Sequence, residues 1–414
     1  MAAFIPSGSL TAKPVTAGDI TAAVLLTERR QRRDDVKKYG LCFVITAALA
    51  SVLIGMTGCS SGGIRNHGTT LPDRTESGEK TENGSRETGT VTEYPETRLT
   101  ADGFSCLRLH GRTVTDSRGL RLDWSYSGFT AEGYFSGDVV AEIRTFGDKQ
   151  CYVHITVDGE DSVSVIEPGT EETVLATVSP GYHVITVRKA TEIRTSRLAV
   201  SALRFKGAAV TPEKTDGLKI EFIGDSVTCG VGSSPDAGNG YSDPRDCDVF
   251  NSYAVMTGKV LDAEINLVSA GGWGVSKGAG KNNGRIPDIY RYTSFRSGME
   301  EWNFAAWKPD VVVIALGAND EGADPAVFGK AVYDFLVTVR ECNPDAKIVW
   351  MYGYLFTGFT DVIGNAIEKT GDRNIFLLEV KPDMSGGWKH PSYSAQCGFA
   401  EALTAKIRDI VSSR

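Results

Sequence analysis

An α/β layered domain preceded by an all-β domain is what this sequence predicts, on three observations. Beyond residue 217, continuous apolar runs alternate with helical stretches, the pattern of a parallel sheet covered on both faces. Between about residues 99 and 210, short runs of period-two alternation are punctuated by Gly, Pro and Asp-Gly, the pattern of a β-sandwich. Ahead of both lies a polar stretch with too few apolar residues to repay the entropy of ordering. A chain of 414 residues has room for two domains with sizeable cores. Its formal net charge of -8 offers no basic footprint for nucleic acid.

Residues 1–59 are read as a signal segment. Lys37 and Lys38 precede "LCFVITAALASVLIGM", which falls short of the roughly 20 residues of a membrane span but suits a signal h-region. The run ends in "MTGCSSGG", where Thr57 and Gly58 before Cys59 resemble a bacterial lipoprotein box. That resemblance implies a lipidated Cys59 at the mature amino terminus and an exported chain anchored to the membrane at the cell surface. "TERRQRRDD" makes a long, mixed-charge lead, and no methionine lies between Met1 and Met56. Translation from Val36 on a non-AUG codon is therefore expected, which amino-terminal mapping of the unprocessed precursor checks.

Residues 60–98 are read as a disordered polar linker. Residues 99–212 follow as a jelly roll or related sandwich, with strands expected in "VVAEIRTF", "CYVHITVDG", "ETVLATV", "GYHVITVRKA" and "RLAVSALRF". Asp158-Gly159 is expected to turn a hairpin, and no helix of useful length is predicted there. The cysteines beyond the signal (Cys106, Cys151, Cys229, Cys247, Cys342 and Cys397) match no zinc spacing. Cys229 and Cys247 are the one pair singled out for a disulfide test.

Residues 217–414 form the α/β domain, with strands in "KIEFIGD", "AEINLVSA", "DVVVIALGAND", "AKIVWMYGY" and "NIFLLEV". "PAVFGKAVYDFLVTVREC" is a helix with Pro325 suited to its first turn. In "KIEFIGDSVTCGVG" a strand runs into Gly-Asp-Ser, so Ser226 stands at the carboxyl end of a strand, where open α/β sheets place their ligands. It is either the cap of a following helix or a nucleophile. His390 is the one histidine of this domain, in a loop between the final strand and the last helix, at the same sheet edge. Asn319 in "LGAND" ends another buried strand there, as an Asx-turn residue or as an amide donor. A hydroxyl, an imidazole and amide donors converging on one edge are what acyl transfer needs. The acidic "SPDAGNGYSDPRDCD" lacks the spacing of a calcium loop, and no phosphate cradle or dinucleotide fingerprint is present.

Four blocks in order, "IGDS", "NLVSAGGWGV", "LGAND" and "KHPSYSAQ", resemble those of the SGNH (GDSL-type) hydrolases. With the preceding sandwich, "GDSVTCGVG" and "NSYAV", the chain is similar to carbohydrate esterase family 2, which joins a jelly roll to an SGNH domain. The resemblance implies a flavodoxin-like parallel sheet, a cofactor- and metal-free serine esterase, and acetylated plant polysaccharide such as xylan or glucomannan as substrate. It implies Ser226 as nucleophile, His390 as general base, and an oxyanion hole from the Ser226 N–H, Gly272 and Asn319. Gly272 is preferred to Gly271 because Gly272-Trp273-Gly274 best fits the family's Gly-x-Gly run. The acid expected three residues before the histidine is replaced by Gly387, so either a backbone carbonyl or Asp383 orients the imidazole. Trp273, Trp388 and Tyr241 fall in loops beside the site, for stacking on a sugar or for packing. The rival readings are an SGNH lipase, a peptidoglycan O-acetyl esterase, and an inert carbohydrate-binding lipoprotein.

Overall fold

The computed structural model describes residues 94–213, 216–234, 245, 247–281, 283–296 and 299–412. The signal segment, Cys59, Tyr241 and most of the expected linker lie outside the described residues. From residue 94 on, the chain belongs to one compact unit.

The β domain holds strands β1 (Glu96–Thr100), β2 (Arg108–His110), β3 (Val114–Asp116), β4 (Gly119–Leu122), β5 (Gly128–Phe146), β6 (Cys151–Val157), β7 (Glu160–Ile166), β8 (Glu172–Lys189) and β9 (Arg197–Val210). All pairs are antiparallel, in the order β3-β4-β9-β5-β8-β6-β7, with β1 added on β9 and β2 on β5. β1 begins inside the stretch expected to be linker. β6 and β7 form the expected hairpin, with Asp158 (φ 52°) and Gly159 (φ 94°) both in the left-handed region, as a tight primed turn requires. Alternate residues of the long strands build the core, among them Phe129, Phe135, Ile185, Val187 and Phe205. The five expected strands are regrouped: "VVAEIRTF" is the second half of β5, and "ETVLATV" and "GYHVITVRKA" are one strand, β8. Pro180, which read as a strand breaker, sits where the β5/β8 register shifts between Phe135 and Gly137. A proline without an N–H costs nothing where the ladder is already interrupted.

The α/β domain has strands β10 (Lys219–Gly224), β11 (Glu264–Ser269), β12 (Val311–Ala315), β13 (Lys347–Tyr352) and β14 (Ile375–Glu379). They form a parallel sheet in the order β11-β10-β12-β13-β14. Alternation along each strand feeds two cores. Ile223, Ile314, Ile348 and Trp350 face helices α2 (Pro325–Cys342) and α3 (Thr360–Thr370), whose Phe328, Val332, Leu336 and Ile363 are buried against them. Phe222, Val313, Val349 and Met351 face α1 (Tyr253–Val260) and α4 (Tyr393–Ser412), which contribute Tyr253, Val255, Leu403 and Ile407. Burial on both faces is why these strands read as unbroken apolar runs. Asp324 caps α2 by accepting the Ala326 and Val327 N–H groups, with Pro325 in the first turn.

The two domains share buried structure. Trp124 and Ile193 of the β domain lie in the α/β core. Arg112, inaccessible to solvent, pairs with Glu221 of β10 at 2.8 Å and lies over the Tyr290 and Phe304 rings. Strand order reverses at β10, with β11 on one side and β12 on the other, and the carboxyl ends of strands at such a reversal are where open α/β sheets place their ligands.

Candidate active site

Ser226 leaves β10 through a tight coil of turns, not the opening of a helix. The Asp225 side chain accepts the Val227 N–H at 3.0 Å, the Cys229 N–H reaches the Asp225 carbonyl and the Val231 N–H reaches that of Ser226. Asp225 therefore does the local capping, and the Ser226 hydroxyl is left for another partner. That partner is His390, whose Nε2 lies 2.8 Å from Ser226 Oγ.

The other imidazole nitrogen, Nδ1, is 3.0 Å from the backbone carbonyl of Trp388. That carbonyl is presented by an unusual backbone: Trp388 (φ 56°) and Lys389 (φ 57°) both occupy the left-handed region, which costs a non-glycine residue about 1–2 kcal/mol. The loop is held in place by the Gly387 N–H donating to the Gly232 carbonyl and the Gly386 N–H to that of His390. Gly232 makes the approach possible, because its φ is 73° and a Cβ there would strike the Gly387 carbonyl and the His390 side chain. Asp383 serves the loop instead of the histidine. It accepts the Ser385 and Ser392 N–H groups at 3.1 and 2.9 Å and the Ser385 hydroxyl. Partial burial pushes its acidity one way, but these bonds outweigh it and hold the carboxyl below its ordinary value.

This geometry predicts that Asp383→Asn lowers turnover by less than about tenfold, whereas the amide replacement of a true triad acid costs about 10,000-fold. A pre-steady-state acylation rate separates the two; a loss beyond a thousandfold in a folded variant would give Asp383 the orienting role.

Burial lowers the His390 pKa from the usual 6.5, opposed by the Trp388 carbonyl and the negative Glu192. A general base works in its neutral form, so activity falls as pH drops through that pKa. The acid limb of kcat/KM is thus expected below pH 6.5, with a plateau through neutrality; a limb above 6.5 in a pH–rate profile contradicts this.

The glycine loop follows β11, whose Ser269 pairs with Gly224 two residues before the serine. The Gly271 N–H is taken by the Glu192 carboxylate at 2.8 Å. The N–H groups of Gly272 and Ser226 donate to no acceptor among the described residues. Gly272 needs to be glycine, since its φ is 79° and a Cβ would strike the Asn283 side chain. Asn319 is half-buried in the turn after β12. Its Nδ2 donates to the Trp273 carbonyl at 2.9 Å and, more weakly, to Asp225 at 3.3 Å. Burial pushes the Asp225 carboxyl up to about 7, against the bonds it accepts from the Val227 N–H and the Tyr354 hydroxyl. Asp320, absent from the sequence-based site, ties the Asn turn to the glycine loop by accepting the N–H groups of Val275, Ser276 and Lys277 and the Ser276 hydroxyl.

Of the proposed sugar-stacking residues, Trp388 is 52% exposed and lies nearly parallel to the His390 ring, at 15° with centroids 6.1 Å apart. Trp273 is half-buried against Phe295 at 4.6 Å. Cys229 and Cys247 share one buried cluster without the disulfide considered from sequence. Among the described residues, no group of three or more His, Cys, Asp or Glu side chains is placed to hold a metal ion.

Residues 222–379 match the GDSL-like Lipase/Acylhydrolase family. The chain is similar to the cellulase/esterase CelE of Acetivibrio thermocellus, 29% identical over 315 residues that make up 71% of this chain and 38% of that protein. It is also similar to an acetylxylan esterase / glucomannan deacetylase of Cellvibrio japonicus, at 25% identity across 74% of this chain and 89% of the relative. A family two carbohydrate esterase from Clostridium thermocellum, solved in complex with cellohexaose, superposes with a TM-score of 0.66 at 28% identity, covering 74% of this chain and 99% of that one. The chain thus spans well under half of CelE but nearly all of the other two. Motif order, strand order, the Ser226–His390 contact and these likenesses agree: residues 222–379 carry a GDSL-type hydrolase domain, and the chain is similar over 74% of its length to a family two carbohydrate esterase.

Proposed function

We propose that the protein is a serine esterase that removes O-acetyl groups from polysaccharide of the xylan or glucomannan type. The observation that carries this reading is the Ser226–His390 contact backed by the Trp388 carbonyl, beside two backbone N–H groups with no acceptor among the described residues. The names of the relatives, an acetylxylan esterase / glucomannan deacetylase and a carbohydrate esterase in complex with cellohexaose, support the substrate class.

Ser226 Oγ attacks the acetyl carbonyl while His390 Nε2 takes its proton. The tetrahedral oxyanion is met by the N–H groups of Ser226 and Gly272 and by Asn319. On collapse the C–O bond to the sugar breaks, His390 returns the proton to the departing hydroxyl, and acetyl-Ser226 remains. Water, deprotonated by the same imidazole, then releases acetate. The Trp388 carbonyl accepts a hydrogen bond from the Nδ1–H throughout, fixing the tautomer and stabilising the imidazolium.

Cys59 in "MTGCSSGG" supports anchoring of the chain to a membrane through lipid at the bacterial surface, with the polar stretch from residue 60 up to β1 as the tether to the β domain and the 217–414 catalytic domain. Acetate release from acetylated xylan, glucomannan, cellobiose and peptidoglycan, alongside aryl acetate and a longer aryl ester, tests the function. Release from xylan or glucomannan is expected. Preference for the long ester indicates a lipase, preference for peptidoglycan a cell-wall esterase, and no hydrolysis by folded protein a binding lipoprotein.

A further inference from the structure

Residues 190–196, the link between β8 and β9, belong to the β domain yet end at the glycine loop of the α/β domain. Glu192 is fully buried and accepts the Gly271 N–H at 2.8 Å. Arg194 is exposed, and its guanidinium donates to the Gly271 carbonyl. The link itself is firmly held. Ile193 is buried in the α/β core, the Thr195 and Ser196 N–H groups close back onto the Glu192 carbonyl, and Thr191 and Ser196 share a hydroxyl bond of 2.9 Å. At its start the Ala190 N–H donates to Tyr152 of β6 at 2.7 Å. Both polar groups of Gly271 are therefore gripped from outside the catalytic domain.

The Gly271 carbonyl and the Gly272 N–H belong to one planar peptide unit. In a trans unit they point in opposite directions, so whatever fixes the carbonyl also fixes the N–H. A charged donor on that carbonyl also polarises the amide, which makes its N–H a stronger donor. We infer that Arg194 and Glu192 are positioning residues for the ester hydrolysis, supplied by the β domain: they hold the Gly271–Gly272 peptide so that the Gly272 N–H meets the developing oxyanion. The inference rests on the esterase reading above for the reaction that it serves. It gives the β domain a part in catalysis whether or not that domain touches glycan.

The test uses the full chain carrying Arg194→Ala, Arg194→Lys or Glu192→Gln, with two readouts: kcat and KM on an aryl acetate, and the rate at which a fluorophosphonate labels Ser226. Arg194→Ala is expected to lower kcat and the labelling rate together by roughly 10- to 30-fold, part of the 100- to 1000-fold lost when an oxyanion donor is removed outright. KM should change little, and the unfolding midpoint should hold because the side chain is exposed. Arg194→Lys should recover part of the loss, since an ammonium still donates to the carbonyl but without the planar fork. Glu192→Gln should lower kcat and the labelling rate together by a few-fold, less than Arg194→Ala, since its amide oxygen still accepts the Gly271 N–H but without the charge that strengthens the bond; wild-type values would take Glu192 out of the positioning role. Wild-type kcat and labelling in Arg194→Ala would overturn the inference. So would a loss confined to KM on acetylated polysaccharide, which would make Arg194 a substrate contact. If the wild type is labelled at Ser226 but releases no acetate, the esterase reading falls while the labelling rates of the variants still decide the positioning role.

Discussion

Ser226→Ala is expected to reduce kcat by at least about 10,000-fold, the scale on which removing a serine nucleophile acts. Folding should barely respond. The turn that carries the serine is capped by Asp225, which accepts the Val227 N–H, and the serine hydroxyl has His390 as its partner. Losing that one bond costs about 1 kcal/mol or less, within the range of a single net hydrogen bond. Steady-state turnover and a urea midpoint on the same preparation check both halves. A variant that retains a rate within tenfold of the wild type would place the nucleophile elsewhere. A variant that fails to fold would mean that the serine braces the turn.

Asn319→Ala is expected to lose roughly 100- to 1000-fold in kcat with KM little changed, the usual effect of one missing oxyanion donor. The structure sharpens what is at stake. Asn319 Nδ2 is already engaged with the Trp273 carbonyl at 2.9 Å and Asp225 at 3.3 Å, so a substrate oxyanion must claim the hydrogen now held by the longer contact. Hydrogen bonds of this kind tighten toward the transition state and are loose before it. Single-turnover acylation rates measure the effect without interference from deacylation. A rate equal to wild type would reduce Asn319 to a brace between the nucleophile turn and the glycine loop.

What the sequence made legible follows from short-range physics. Apolar runs buried on two faces identify a parallel sheet, and residues at the ends of successive parallel strands must emerge on one edge. Ser226, Asn319 and the glycine loop could be placed together on that ground, and His390 with them because its loop follows the last strand. The misses have equally specific causes. Pro180 split β8 in the reading of the sequence because a register shift in the partner strand, which makes the proline harmless, has no local signature. Ser226 does not cap a helix: the chain after it turns instead, with Gly230 and Gly232 in the left-handed region at φ 77° and 73°, a conformation that ends a helical run. The strained Trp388–Lys389 backbone could not be foreseen, since nothing in "GGWKH" announces a positive φ at two non-glycine residues. Glu192 and Asp320 act on the glycine loop across 79 and about 45 residues of sequence, beyond any spacing rule.

In the proposed reaction, acetyl is transferred to Ser226 and released by water under the control of His390. Rapid quenching after mixing the protein with an activated aryl acetate, followed by peptide mass mapping, tests it most directly. A burst of aryl alcohol equal to the enzyme present and one acetyl group on the peptide containing Ser226 are expected, with neither in Ser226→Ala. Acetyl on a different residue, or turnover with no acyl-enzyme and no dependence on Ser226, would contradict it.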